Sequence, residues 1–409
     1  MTRPRRPRPP TGSTRAGAAA VTVTTVGVLP VYMVGVLWVQ LQEDLGFGPQ
    51  LLGTLVASFF LTSAVSALTA GAIVGRFGTS PIVRLSALVG AASMLVIALA
   101  AQHTAVLVAA LVFAGWGNGI GQPASNDLIA RAVAPSRHGL AYGTKQAAIP
   151  LSTMIAGVAV PALAIPLGWR TAFAVGAALA LLVVLTVPGA GQLRAPGSEE
   201  RSEAAGPFRR GPLLVLSLGL MLGAATGNAL GSFFVATAVE GGIAPATAGV
   251  LAAVASGLGA AARIGFGWLA DRFRTRWLLV VAAQMAIGGL SYALLGTGIE
   301  LLIAVGALIG YCTGWAWAGL TNFSVARMHP GMAARATSIT QVGTGAGAAL
   351  GPLLFGIVVS ATSYSVAWYA TAALSAAGGA VVVQGRRMLM RTRPQLAAAR
   401  RQRRKARHT

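Results

Sequence analysis

Cysteine and histidine are scarce in this chain, and their scarcity excludes several kinds of chemistry. The one cysteine among 409 residues, Cys312, cannot form a disulfide within the chain, and a cysteine-based metal or redox centre is not expected. The four histidines fall in predicted loops or in the C-terminal tail. Because no His, Asp and Glu cluster converges on a helix and no Ser, His, Asp arrangement is present, we predict no metal site, no cofactor and no enzyme.

Charge is also limited, and negative charge is the rarest. Only 10% of the residues are charged and 55% are hydrophobic, so the chain cannot cover a water-soluble surface and belongs in a lipid bilayer. The net charge of +22 does not predict nucleic-acid binding. We interpret the basic C-terminal segment as a tail that fixes topology and rests on anionic headgroups.

Twelve apolar stretches are long enough to cross a membrane, which takes about 20 residues each. They cover residues 17–40, 50–74, 81–101, 104–128, 139–165, 170–189, 212–238, 244–269, 277–297, 300–325, 335–360 and 364–385. A lipid-facing backbone must satisfy its own hydrogen bonds, and these stretches lack the alternation of barrel strands. The predicted fold class is therefore an all-α integral membrane protein with twelve transmembrane helices.

Basic residues gather on one side of the predicted membrane. If Met1 is inside, all but three of the 31 Lys and Arg residues lie in inward-facing segments. By the positive-inside rule, both termini of this multi-pass protein are cytoplasmic. The predicted order is a disordered basic tail (1–16), a six-helix half (17–190), a cytoplasmic linker (191–211), a second six-helix half (212–385) and a basic tail (386–409).

The two halves carry the same loop pattern. The first copy, residues 71–78, reads GAIVGRFG, and the second, residues 267–274, reads GWLADRFR, 196 positions later. With twelve spans in two repeats, this pattern resembles the major facilitator superfamily of secondary transporters over residues 17–385. The resemblance implies a fold of two six-helix repeats. It also implies alternating-access transport of a small-molecule solute, with a coupling ion or counter-anion as a further partner.

The loops depart from the family pattern Gly-x-Leu-x-Asp-Arg-x-Gly-Arg-Arg in an informative way. The second copy keeps Gly267, Asp271 and Arg272, whereas the first has Gly75 where the aspartate is expected. Such loops act as conformational latches that hold one state of the alternating-access cycle. We predict that Arg76 takes Asp127 as its acidic partner. The alternative is that Asp127 pairs with an arginine one turn later on its own helix.

Aromatic and amide residues are predicted inside the fourth, seventh and tenth spans. In the family that this chain resembles, these spans line the central cavity, which makes the residues candidate substrate contacts. They are Trp116, Asn118, Asn228, Trp315 and Trp317. Two alternatives stay open, because membrane amides often tie helices together and tryptophans often lie at the headgroup level.

Lys145 and Arg263 are the strongest functional signal. A charge inside a membrane helix is unfavourable by roughly 3 kcal/mol on insertion scales, so such residues usually face a cavity or a partner. Both lie roughly 10 to 12 Å from the inner boundary at about 1.5 Å per residue. The segment that begins at Arg263 resembles helix 8 of monocarboxylate and oxalate transporters, where an arginine binds the substrate carboxylate. Gln146, beside Lys145, completes the predicted substrate-binding set.

These features predict a secondary transporter of a small, carboxylate-like anion in the plasma (bacterial inner) membrane. No Asp or Glu lies in the middle of a span, so a bound anion would supply the missing counter-charge. The alternative for the cations is that Lys145 extends toward the cytoplasm or that one cation pairs with Asp127 as a gate. The alternative function is an exporter of hydrophobic or cationic compounds.

Overall fold

The computed structural model describes residues 11–132, 137–187, 210–273, 275–329 and 332–405, and the regular structure in those ranges is helical. The membrane helices there are α1 (Thr11–Val36), α2 (Pro49–Phe77), α3 (Thr79–Ala100), α4 (Thr104–Ala132), α5 (His138–Ala159), α6 (Trp169–Thr186), α7 (Gly211–Glu240), α8 (Pro245–Arg272), α9 (Trp277–Leu295), α10 (Glu300–Ile309 and Ala318–Met328), α11 (Ala333–Ala361) and α12 (Tyr364–Lys405). Eleven of these contain an apolar stretch of at least 18 residues, and α6 contributes a shorter one, Trp169–Leu185. The all-α prediction is confirmed.

The predicted tails and linker differ from the structure at their edges. Helix α1 begins at Thr11, inside the predicted disordered tail, and Gly211 is the first residue of α7 rather than the last of the linker. Helix α12 continues to Lys405, through most of the predicted C-terminal tail. That segment is rich in Arg and Ala, which are good helix formers, and the helix continues through it although Pro394 lies within it. Residues 1–10, 188–209 and 406–409 of the predicted tails and linker lie outside the described residues.

Helix α10 is broken in its middle, where the sequence predicts one continuous span. Its first part ends at Ile309, a π-helical turn covers Gly310–Gly314, and the second part begins at Ala318. Glycines at both ends of the turn weaken the regular ladder, and π-helical turns are common where helices bend. The break leaves the Trp315 backbone outside a regular helix. Helix α5 likewise continues through a π-helical turn, Val160–Ala164, that contains a proline.

Helices α7 and α11 pack backbone to backbone within the second half. A β-carbon at Gly347 would overlap the Met221 carbonyl group, and Gly343 and Gly351 meet the α7 backbone one turn to either side. The glycine row therefore lets the two helices approach more closely than side chains would permit. Glycines at one-turn spacing thus mark the face of α11 that packs against α7.

Two pairs of antiparallel helices join the halves, α5 with α8 and α2 with α11, and we call them the α5/α8 seam and the α2/α11 seam. They differ at the end predicted to be cytoplasmic. In the α5/α8 seam, glycines of the two helices face each other near both ends, with Gly143 against Gly267 and Gly157 against Gly249. In the α2/α11 seam, Gly53 packs against Pro352 near the outer end. Farther inward on α2, Gly71 and Gly75 face open space. The α5/α8 seam is therefore closed at both ends, whereas Gly71 and Gly75 of α2 have no neighbour of that kind.

An ion pair joins helices of the first half at the ends predicted to face outward. The Arg170 Nη1 of α6 lies 2.8 Å from Asp44 Oδ2, in the short helix Trp38–Leu45 that follows α1. The Trp169 indole donates to the same oxygen at 3.0 Å, and Arg170 also donates to the Ala101 carbonyl at the end of α3. The hydrogen bonds from Arg170 and then Trp169 lower the pKa of Asp44. These contacts join the ends of α3 and α6 to the short helix after α1.

Candidate functional site

Lys145 lies in the interior of α5 and is tied to α4. Its side chain is 3% exposed. The ammonium donates to the Gln122 carbonyl at 3.2 Å, to Gln122 Oε1 at 2.9 Å and to Asn126 Oδ1 at 2.6 Å. A lysine has three hydrogens to donate, so these three acceptors match its capacity. Lys145 therefore links two helices of the same half, and its charge is solvated by neutral oxygens.

A chain of amides extends from Lys145 across α4 to α2. Gln122 Nε2 donates to Asn118 Oδ1 at 3.2 Å, and Asn118 Nδ2 donates to Ser63 Oγ at 2.8 Å. The ammonium orients the first amide by occupying its oxygen, and each amide then orients the next. Asn118, a predicted substrate contact, is thus engaged in tying helices together, the alternative that the sequence left open.

Arg263 of α8 is 2% exposed and bridges the two halves. Its Nη1 donates to the Gln146 carbonyl of α5 at 2.6 Å, and its Nη2 donates to the Trp315 carbonyl at the break in α10. The guanidinium carbon lies 5.2 Å from the centroid of the Trp315 ring. The buried Nε has no hydrogen-bond partner. Gln146 thus reaches the cluster through its backbone rather than its side chain.

Trp315 is the centre of an aromatic cluster. Its ring lies edge-on to Tyr32 and to Tyr311, with 5.5 Å between centroids in both cases. The Tyr32 hydroxyl donates to Asn228 Oδ1 at 2.8 Å, joining α1 to α7. Arg263, Trp315, Asn228 and the Gln146 backbone, four of the predicted positions, are therefore brought together.

Tyr32 is a member of this cluster that the sequence reasoning missed. A signal for it exists, because Tyr32 and Asn228 are separated by 196 residues, the offset of the two repeats. Residues at equivalent positions of two repeats approach each other where they lie close to the axis that relates the repeats. The repeat offset applied to Asn228 would have identified its partner.

Two predicted substrate contacts lie elsewhere. Trp116 is 37% exposed, stacks on Phe113 with 6.2 Å between centroids, and points away from the buried Asn118 two positions along α4. Trp317 packs in the second half against Met285 and Leu320, and its indole donates to the Gly314 carbonyl at 3.0 Å. The contacts of both side chains are thus structural in this conformation.

The second loop copy forms a contact between the halves. Both carboxylate oxygens of Asp271 accept backbone N–H groups at the start of α5, from Gly139 and Leu140, each at 2.8 Å. A carboxylate at a helix N-terminus satisfies unpaired donors and complements the helix dipole. Gly267 lets α5 approach one turn away, and the Arg272 guanidinium lies 4.8 Å from the centroid of the Trp268 ring.

The first loop copy is arranged differently. Asp127 accepts a hydrogen bond from Thr79 Oγ1 at the start of α3, and the exposed Arg76 lies 5.4 Å from the centroid of the Phe77 ring. A cavity of about 600 Å³ opens here between the inner ends of α2, α3 and α4, with Gly75 and Asp127 in its wall. The Arg76 to Asp127 contact stays a prediction.

Acidic side chains of the described residues lie toward helix ends, and none of them accepts a hydrogen bond from Lys145 or Arg263. They are Glu43, Asp44, Asp127, Glu240, Asp271 and Glu300. The hydrogen-bond acceptors around Lys145 and Arg263 are all uncharged oxygens. In the described part of the chain, no group of three or more His, Cys, Asp or Glu side chains could hold a metal ion.

Comparisons with known proteins give a family and a fold. Residues 20–240 and 216–408 match the family model described as Major Facilitator Superfamily. A solved structure with a TM-score of 0.64 is the crystal structure of a bacterial homolog to the human lysosomal transporter Spinster, in an inward-facing and unoccupied conformation. It is 18% identical, with 96% of this chain and 97% of that chain covered, a likeness that shows the fold alone. No curated protein matches this sequence.

Proposed function

The chain belongs to the major facilitator superfamily of transporters, and we propose that it moves a small carboxylate-like anion across the plasma (bacterial inner) membrane by alternating access. The observation that carries this proposal is the buried guanidinium of Arg263, whose hydrogen-bond acceptors are neutral. A buried charge without a counter-ion is strongly unfavourable. An anion that enters from water would supply that counter-ion.

Arg263 offers the direct contact to the anion. Its Nε is buried and unpartnered, so one donor is already available without breaking a contact. Arginine presents its donors in a planar fork that fits a carboxylate at two points. The Trp315 and Tyr32 rings beside it would contact the apolar body of the substrate, and the Asn228 amide supplies polarity on the α7 side.

Lys145 contributes positive charge rather than a hydrogen bond in this conformation. Its three donors are already matched by acceptors on α4, so a direct contact with the substrate would require Gln122 or Asn126 to give way. Its charge still favours an anion in the interior, because charge interactions are weakly screened in a buried setting. We therefore propose a joint site in which Arg263 contacts the anion directly and Lys145 adds a supporting positive charge.

The competing proposal is an exporter of hydrophobic or cationic compounds. The aromatic cluster of Tyr32, Tyr311 and Trp315 would suit a hydrophobic compound. A cation is a poor fit, because the described acidic side chains lie at helix ends and the buried charges are positive. The anion proposal accounts for both buried cations, and the substrate's own charge or exchange against a second anion would serve for coupling.

A thermal-shift screen of the purified protein against organic anions and cations tests the proposal. A ligand that binds the folded state raises its apparent stability, and we expect carboxylates to do so and organic cations to have no effect. Arg263→Ala, and to a smaller extent Lys145→Ala, should remove the shift, and the double variant should lose less than the sum because both changes act on one site. Arg170→Ala is the matched control, since Arg170 is a cation at the outer surface. Stabilisation by cations, or wild-type shifts in both single variants, would contradict the proposal.

A further inference from the structure

Arg263 differs from Lys145 in what its hydrogen bonds connect. Lys145 donates only to α4, so all its contacts stay within the first half. The two terminal nitrogens of Arg263, in contrast, hold backbone carbonyls of different halves, Gln146 on α5 and Trp315 on α10. One guanidinium therefore joins α5, α8 and α10 at the centre of the molecule.

The Gln146 and Trp315 carbonyls are free to accept from Arg263 for different local reasons. Trp315 lies between the π-helical turn and the second part of α10, so its carbonyl lies outside a regular helix and can accept from a side chain. Gln146 lies in the turn of α5 before Pro150, which has no N–H to offer to the Gln146 carbonyl. Both acceptors lack a partner in the helical ladder, and Arg263 satisfies both. A buried carbonyl without a donor is unfavourable, which makes the contact hard to break without a substitute.

We propose that Arg263 is a ligand-operated clamp, whose bonds to the Gln146 and Trp315 carbonyls hold the halves together until a carboxylate-like anion takes the guanidinium. This inference rests on the proposed function for the chemical class of its ligand. It goes beyond that function by assigning the guanidinium a second role, in the substrate-free protein.

The competition follows from the geometry of the guanidinium. Any two-point contact with a carboxylate uses either both terminal nitrogens or Nε and one terminal nitrogen. Each terminal nitrogen uses one of its two N–H groups on a carbonyl, so a carboxylate can approach the remaining N–H groups and Nε, and its negative charge then weakens the charge-assisted bonds to both carbonyls. A carboxylate oxygen forms a stronger charge-assisted bond than a neutral carbonyl, so the anion competes with the two carbonyls for the guanidinium.

The consequence for transport is a link between occupancy and motion. While the carrier is empty, the clamp favours the conformation in which α5 lies against α8. Once the anion is bound, the bonds to the two carbonyls are weaker, and the alternative conformation becomes accessible because the ligand interacts differently with the two states. An empty carrier would then change conformation rarely, which limits transport cycles without substrate.

Distance measurements between spin labels test the clamp in the full-length protein. Labels are placed at Phe77→Cys on α2 and Arg327→Cys on α10, both exposed and in different halves, in a Cys312→Ser background that keeps the wild-type melting temperature. The probes are sodium acetate and sodium oxalate, with sodium chloride at equal ionic strength as the reference. We expect one distance population in chloride and a second one in the carboxylate that binds.

Arg263→Met should raise the second population without any carboxylate, by roughly tenfold, because a charge-assisted hydrogen bond between the halves is lost. Lys145→Met is the matched control, since it removes a buried cation whose bonds stay within one half, and it should keep the wild-type distribution in chloride. If Arg263→Met does not fold, Arg263→Lys replaces it, because an ammonium cannot reproduce the planar fork and should also enlarge the second population.

The outcomes separate the clamp from the proposed function. A folded Arg263 variant with the wild-type distribution in chloride would overturn the clamp, even if carboxylates bind the wild-type protein. If no carboxylate binds, but the Arg263 variants still show the second population, the clamp between the halves stands and its assignment to an anionic ligand is overturned.

Discussion

At the scale of single residues, the two buried cations show that the role of a charged side chain depends on the groups that accept its hydrogen bonds. Lys145 and Arg263 are equally buried, yet one fixes α5 to α4 and the other joins the halves. The sequence predicts both as interior charges, because a lysine and an arginine stand out in apolar spans. It could not predict the acceptors of Arg263, the Gln146 and Trp315 backbone carbonyls, whose availability depends on a proline and on a helix break.

The aromatic residues also show what could not be predicted from the sequence. The sequence places Trp116 and Trp315 alike in predicted cavity-lining spans. The structure turns Trp116 to an exposed side of α4 and Trp315 into the buried cluster. Which way a tryptophan points depends on helix rotation, and the weak amphipathicity of an apolar membrane helix does not fix that rotation.

Asp271 allows a test of the contact between the second loop and α5. Asp271→Ala removes the acceptor of the Gly139 and Leu140 N–H groups, a loss comparable to removing a helix cap, about 1 kcal/mol. We expect amide exchange in a peptide covering residues 138–145 to become about fivefold faster, because the start of α5 opens more often. Asp271→Asn keeps one acceptor oxygen and should show a smaller change.

Asp127→Ala is the control for this measurement. The Thr79 hydroxyl that donates to Asp127 lies at the start of α3 rather than of α5, so this substitution should leave exchange at the start of α5 unchanged. Unaltered exchange in Asp271→Ala would show that the carboxylate does not hold α5 in solution.

At the scale of helices, the apolar stretches predicted the number of spans well because length and hydropathy are local properties. The ends of the helices and the break within α10 were harder to predict from the sequence. The break in α10 lies between Gly310 and Trp317, within an apolar segment that reads as continuous. It is stabilised by Arg263 on another helix, a tertiary contact that local propensity does not contain. The extension of α12 to Lys405 depends on helix propensity beyond the membrane rather than on hydropathy.

The glycine row of α11 gives a prediction with a control on the same helix. In Gly347→Ala the new methyl group would overlap the Met221 carbonyl of α7, so the helices must separate, at a loss of about 1–3 kcal/mol typical of overpacking. In Gly345→Ala the methyl group would lie 3.6 Å from the Ala64 β-carbon, an ordinary contact. Because alanine favours helix over glycine, Gly345→Ala should equal or exceed wild-type stability.

The thermal midpoints of the two variants, compared in one detergent, check this pair. We expect Gly347→Ala to melt below wild type and Gly345→Ala at or above it. Equal midpoints would mean that α7 and α11 pack less closely than the structure shows.

At the scale of the whole molecule, the two repeats have diverged in charge while keeping their architecture. Shifted by the repeat offset of 196, Arg263 corresponds to Ala67, Asp271 to Gly75 and Lys145 to Gln341. The charged groups of the candidate site therefore belong to the α5 and α8 seam, and their counterparts on α2 and α11 are uncharged. This asymmetry agrees with a closed α5/α8 seam and with open space beside the inner end of α2.

The side of the membrane on which each segment after α6 lies depends on whether α6 crosses the membrane. The apolar part of this helix, Trp169–Leu185, has 17 residues, which corresponds to about 26 Å at 1.5 Å per residue. The hydrocarbon core is about 30 Å thick, so α6 can cross only with some local thinning of the bilayer or with its ends close to the headgroups. If it did not cross, every segment after it would change sides.

Reporter fusions at three points test whether α6 crosses the membrane. We expect an insertion within 191–209 and one after Lys405 to report the cytoplasm, and one at Gly241, between α7 and α8, to report the outside. The positive-inside rule supports this arrangement, because the linker and the C-terminal segment are rich in arginine whereas the outer ends carry Glu43, Asp44, Glu240 and Glu300. An outside signal from the linker together with a cytoplasmic signal from Gly241 would show that α6 does not span. The α5/α8 seam could not then form, because α8 would run parallel to α5 instead of antiparallel, and the clamp and the cap at Asp271 would both be lost with it.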